Sequence, residues 1–152
     1  MRDNPAEFFL DPRLAADCYQ LGTIEGLLVL LMDNALVPWF ILVPQTTITE
    51  LCDLPTPVYD SLNRLTNRLS QHVRESWSVE KLNVAAIGNM VRQLHVHVVG
   101  RHERDYCWPG VVWGRTEKQA YRPEQVEQIQ NALSISLGVG FTCLPLRRGL
   151  SQ

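Results

Sequence analysis

From Gln93 to Val99 the chain reads Gln-Leu-His-Val-His-Val-Val, with polar and branched apolar residues in strict alternation up to His97. That is the period of a β-strand, and it predicts Leu94, Val96 and Val98 facing a core while Gln93, His95 and His97 form one row on the other face. Neighbours in that row stand about 6.5 to 7 Å apart. Gly88-Asn89 breaks the pattern on the amino-terminal side, so the strand is expected to begin at Val91 or Arg92. From the His-x-His spacing alone, two readings stay open. One is a partly exposed strand whose outer face carries two histidines. The other is a pair of metal ligands, since the same spacing serves metal-binding barrels. No companion ligand motif accompanies it: His72 falls in a predicted helix, His102 lies just past the strand, and no Cys-x-x-Cys occurs.

The remaining periodicities give an α+β order. Gly26 to Met32 is a continuous aliphatic run suited to a buried strand. Asp33-Asn34-Ala35 supplies turn formers, and Trp39 to Val43 returns as the second arm of a hairpin. Phe8-Phe9-Leu10 and the stretch to Gln20 have mixed periodicity, open to a short helix or an irregular lead-in. Thr56, bracketed by Pro55 and Pro57, is the expected N-cap of the main helix, with Val58, Leu62, Leu65, Leu69, Val73 and Trp77 as its apolar stripe, ending at about Ser76. His72 reads as a surface or boundary residue of that helix. Lys81 to Ile87 is a third strand.

After the histidine strand comes a polar, basic connection holding Arg101, His102 and Arg104, then Trp108 and Trp113 near Pro and Gly. Packing over the sheet is the expectation for these tryptophans, with a subunit interface or a base-covering role as alternatives. Pro123-Glu124 opens a last amphipathic helix with Val126, Ile129 and Leu133 on its stripe, ending near Gly138. Phe141 to Leu146 is a short apolar tail, and Arg147-Arg148 a solvated end.

Composition bounds the function. With 152 residues, 45% hydrophobic, the chain fits one domain over 1–152. A formal charge of −2 provides no basic footprint for a nucleic-acid polymer. The first five residues lack the apolar core of a secretory leader, and no run approaches the ~20 apolar residues of a membrane span. Cys18, Cys52, Cys107 and Cys143 are scattered without zinc or redox spacing, which suits reduced thiols and a cytoplasmic location.

Gln-Leu-His-Val-His-Val-Val, preceded by Gly88-Asn89 and followed by Gly100-Arg101, resembles the signature of the histidine triad (HIT) nucleotide hydrolases and transferases, with Gln93 in place of the first histidine. The upstream hairpin from Leu30 to Pro44 is similar to the family's as well, and the likeness covers roughly residues 6 to 115, leaving a helical extension over about 116–152. The resemblance implies an antiparallel sheet of about five strands with a long helix packed on it and a carboxy-terminal helical tail. It also implies a homodimer joined edge to edge. The expected activity is hydrolysis or transfer at a nucleoside phosphoanhydride or phosphoramidate through a covalent nucleotidyl-histidine, with no metal and no cofactor required. A non-catalytic nucleotide-binding module of the same fold is the alternative.

By the same resemblance His95 is the nucleophile. His97 helps bind the phosphate or protonates the leaving group, and Gln93 orients its neighbours. Imidazole suits the first duty because it is substantially unprotonated near neutrality, provided one ring nitrogen is pinned by a hydrogen bond, which a backbone carbonyl can supply. Gln93 can donate a hydrogen bond but cannot shuttle protons. Asn89 matches a phosphate-contacting amide, Gly88 allows close backbone approach, Asp33 matches a ribose-binding carboxylate or amide, and Asn83 on the third strand completes the substrate-binding candidates. Met90 stands where a small hydroxyl residue is common and Trp39 where a histidine is common, so two polar contacts are expected to be missing.

Overall fold

Two aliphatic strands, β2 (Leu27–Met32) and β3 (Trp39–Pro44), form the expected hairpin, and every residue of β3 is buried. The computed structural model describes residues 7–146; the first five residues and Arg147-Arg148 lie outside them. The lead-in resolves into both a helix and a strand. Asp11 caps α1 (Pro12–Asp17) by accepting from the Arg13 N–H at 2.8 Å, with Pro12 at the first helical position, and β1 (Cys18–Ile24) follows. Mixed periodicity concealed this strand because its register to β2 slips between Gln20 and Gly22, which interrupts the alternation.

The long helix, α2 (Thr56–Trp77), begins one residue earlier than expected: Pro55 holds the N-cap position and Thr56 is already helical. Leu62, Leu65, Leu69 and Val73 of its stripe are all fully buried, each worth about 1.5 to 3 kcal/mol of transfer energy. His72 is not at the surface. It is buried edge-on to Phe40 and Trp77, with ring centroids 6.3 and 6.1 Å away, and burial pushes its pKa down.

β4 (Lys81–Ala85) and β5 (Val96–Arg101) complete the central sheet, followed by α3 (Pro123–Leu137) and a two-residue strand, β6 (Thr142–Cys143). The six strands are antiparallel in the order β4-β5-β3-β2-β1-β6, one more than the expected five, because β6 adds to β1 where an apolar tail was expected. The sheet is covered on both faces. One face packs on α2 and α3 through Phe40, Leu42, Val96 and Val98. The other carries Ile41, Val43 and Val99 beneath α1 and the segments holding Val91, Cys107 and Val112. Gly100 is required by close packing, since a Cβ there would stand 2.7 Å from Pro38 and 2.8 Å from Val73. Among the described residues no helix is long and apolar enough to cross a membrane.

The histidine strand starts later than its alternation predicts. Pairing to β3 begins at Val96, opposite Leu42, so Gln93, Leu94 and His95 precede the ladder. Two residues beyond Leu42 the neighbour is Pro44, which has no N–H to donate. Leu94, Val96 and Val98 are nonetheless buried as expected.

Candidate functional site

His97 leaves the sheet on the face opposite α2, opposite Ile41 of β3, and His95 lies just ahead of the ladder with its ring centroid 4.8 Å from that of His97. Both imidazoles are buried. The Nδ1 of His95 is 2.6 Å from the carbonyl oxygen of Gln93. A carbonyl only accepts, so this nitrogen carries the ring proton in the neutral form and Nε2 keeps the lone pair.

His97 is held the other way round. The indole Nε1–H of Trp39 donates to His97 Nδ1 at 3.0 Å, and the Trp113 ring stands edge-on at 5.4 Å. Trp39 therefore contributes a polar contact where only a loss was expected, and Trp113 packs over the sheet against the histidine itself. Burial, aided by the nearby His95, pushes the His97 pKa down to about 3.

His95 lines a cavity of about 410 Å³ together with Gly88, Asn89, Arg92, Leu94 and the segment from Thr49 to Cys52. Gly88, at φ +67°, turns the chain there in a backbone conformation favourable to glycine. His95, Gly88 and Asn89 thus come together. Arg92 and the 49–52 segment were missed by sequence reasoning, since neither carries a motif and only the chain path brings them to the histidine. Met90 is exposed, and its carbonyl accepts from Arg13.

The other candidates sit elsewhere. The Gln93 carboxamide bridges two backbone groups of the amino-terminal segment, donating to the Phe9 carbonyl at 2.8 Å and accepting from the Asp11 N–H at 2.8 Å. Asp33 is buried, accepts from the Tyr121 N–H at 2.9 Å, and lines a separate cavity of about 150 Å³ with Asn34, Trp39 and residues 115–118. Trp39 is the wall common to that cavity and to His97.

Asn83, on β4, accepts from Arg101 Nη1 at 2.9 Å. Arg101 belongs to the polar, basic connection, yet it is only 1% exposed. It forms a two-toothed ion pair with Asp105 at 2.7 and 3.0 Å and donates to the Gly110 carbonyl at 2.8 Å, with Trp108 over its guanidinium. The network ties the loop after β5 to the end of the sheet, and the Arg101-x-x-x-Asp105 spacing was its available signal. Among the described residues no group of three or more His, Cys, Asp or Glu side chains is placed to hold a metal ion.

Comparison with protein families matches the HIT domain over residues 14–104, more than half of the chain. The fold is similar to solved histidine triad proteins from Sinorhizobium meliloti (35% identity, TM-score 0.83, covering 88% of this chain and 99% of that one) and from Marinobacter aquaeolei (40%, 0.81, covering 86% and 96%). A third, from Bradyrhizobium japonicum, is 33% identical with TM-score 0.82, covering 86% of this chain and 98% of that one. No curated protein matches.

Proposed function

This chain belongs to the histidine triad (HIT) family, whose members are generally nucleotide-binding hydrolases and transferases, and from that membership we propose a nucleotidyl hydrolase or transferase working through a covalent bond to His95. The observation that carries this reading is the 2.6 Å contact between His95 Nδ1 and the Gln93 carbonyl, with His95 lining a cavity that Gly88 and Asn89 also line. It leaves Nε2 as the lone-pair nitrogen on an immobilised ring, which is what attack on phosphorus needs.

In the first step the Nε2 pair forms an N–P bond at the α-phosphorus. The bond from phosphorus to the leaving group breaks, and its electron pair departs with that group. The Nδ1 proton stays on the ring, held by the Gln93 carbonyl. Water then attacks phosphorus, the N–P pair returns to Nε2, and the proton of water passes to solvent. Asn89 donates its amide to phosphate oxygens and Gly88 lets the backbone approach them. His97 assists beside them. Gln93 contributes through its backbone oxygen, while its carboxamide docks the Phe9–Asp11 segment beside the site. Asn83 acts at a remove, by holding Arg101.

The reading is tested by incubating the protein with nucleotide conjugates and searching for a nucleotidyl adduct by mass spectrometry. Binding without adduct or turnover favours the non-catalytic module, toward which exposed Met90 in place of a hydroxyl residue inclines.

Asp33 is proposed to bind ribose from the far side of Trp39. Asp33→Ala should then weaken a ribonucleotide by about 1.5 to 3 kcal/mol, the range for a hydrogen bond to a charged group, and barely change a 2′,3′-dideoxy analogue. Equal loss of both in calorimetry would show that Asp33 only shapes the turn.

Homodimerisation is proposed through the edge of β4, where Val84 and nearby Ile87 are exposed. Light scattering at micromolar concentration should report twice the 17.3 kDa of one chain. A single-chain mass rejects that interface.

A further inference from the structure

His97 is enclosed by three rings, those of Trp39, Trp113 and His95, with centroids 5.8, 5.4 and 4.8 Å away. Of these, Trp39 makes the directional contact, Nε1 to Nδ1 at 3.0 Å, and it is itself buried. An indole N–H donates and never accepts. The His97 Nδ1 must therefore supply the lone pair, and the proton of the neutral ring resides on Nε2. A histidine at position 39 would impose no such order, because imidazole gives or takes according to its own tautomer. His95 and His97 are thus adjacent rings in opposite tautomers, one offering a lone pair at Nε2 and the other an N–H.

We infer that Trp39 is a positioning residue that locks His97 as a neutral Nε2–H donor, and that the site accordingly selects nucleoside phosphoanhydrides over phosphoramidates of alkyl amines. The inference rests on the nucleotidyl-transfer reading for its substrate half and on geometry alone for the lock. Protonating His97 would set an N–H of the imidazolium against the indole N–H, in a buried pocket that already disfavours the cation. His95 is the titratable group in ring contact with it; the other two rings are uncharged indoles.

A neutral Nε2–H can stabilise charge on a phosphoryl oxygen, but giving that proton away would leave an imidazolate. The consequence falls on the leaving group. When the P–O bond of an anhydride breaks, the electron pair stays on an oxygen that departs as a phosphate or carboxylate anion, and no proton is needed. When the P–N bond of an alkyl phosphoramidate breaks, the nitrogen must receive a proton, and His97 cannot provide it.

Two measurements decide the matter. In long-range proton–nitrogen NMR of the ring-labelled protein at neutral pH, His97 Nδ1 should show the pyridine type and Nε2 the pyrrole type, with no substrate present. The opposite tautomer, or a charged ring, overturns the lock. In steady-state assays a dinucleoside polyphosphate should exceed an alkylamine nucleoside phosphoramidate in kcat/KM by roughly 10²- to 10⁴-fold, the usual contribution of a general acid. Equal turnover of the two overturns the substrate preference.

Trp39→Phe keeps an aromatic wall and removes the donor, so both tautomers should appear in the spectrum; with no indole N–H opposing the imidazolium, His97 can also take up and deliver a proton, and the gap between substrates should narrow. Trp39→His, which retains hydrogen-bonding capacity, should behave likewise, and it serves if the phenylalanine variant does not fold. A gap unchanged in a folded variant counts against Trp39 as its source. Absence of any turnover, alongside the expected tautomer, would reject the nucleotidyl-transfer reading and its substrate preference while the lock stands.

Discussion

His95→Ala is expected to remove turnover by roughly 10⁴-fold or more, as loss of a nucleophile does in other covalent catalysts, and to eliminate the nucleotidyl adduct entirely. Affinity for the nucleotide should change little, because the attacking nitrogen contributes chiefly to the transition state. The physical basis is the single lone pair left at Nε2 once Nδ1 donates to Gln93. His97, whose Nδ1 is occupied by the Trp39 indole, lacks that arrangement. His97→Ala should slow the reaction by about 10²- to 10³-fold, the cost of losing an oxyanion-type donor, and still permit an adduct. Peptide mapping of the trapped adduct checks the assignment. An adduct on His97, or one that persists in His95→Ala, would falsify it.

The second large effect concerns stability rather than chemistry. Arg101 and Asp105 form an ion pair whose side chains are 1% and 2% exposed. Removing one member of such a pair strands the other charge, which costs about 3 to 5 kcal/mol. Asp105→Ala should therefore lower Tm by roughly 6 to 20 °C in a chain of this size. Replacing both partners by apolar residues, Arg101→Met with Asp105→Leu, should cost less than the single change, because no buried charge is left alone.

The pH dependence follows from the direction of the Asp105 shift. Burial opposes its charge, but the Arg101 hydrogen bonds, the backbone N–H groups of Cys107 and His102 and the guanidinium charge hold its pKa below the usual carboxylate value. A carboxylate with a depressed folded pKa contributes stability above its unfolded pKa and loses it as pH falls through the folded one. The gap between wild type and Asp105→Ala should thus close in acid. Thermal unfolding across that range is the check, and a wild-type-like Tm for Asp105→Ala at neutral pH would show the pair to be solvated.

Much of the fold was legible because local periodicity reports which face of an element meets a core. The aliphatic hairpin arms, the α2 stripe and the start of α3 follow from spacing within a few residues. So does the split of the histidine strand, with Val96 and Val98 on one face and His97 on the other. β1 was concealed by its register slip, and β6 by its length, since two residues are too few for alternation to be seen.

The site was legible as a set of residue types and not as a set of partners. The sequence by itself determined that two imidazoles lie side by side near a glycine turn, and that Leu94, Val96 and Val98 point inward. Only the tertiary structure decided what each imidazole does. The donor to His97 comes from 58 residues away, and the groups that occupy the Gln93 carboxamide lie 84 and 82 residues away. It also decided that Arg101, in a run that reads as a polar, basic connection, is buried against Asp105. The reason is one of range: side-chain direction along a strand is set by the backbone within two residues, whereas a ring's tautomer or a guanidinium's burial is set by whichever hydrogen-bonding groups the whole chain brings alongside.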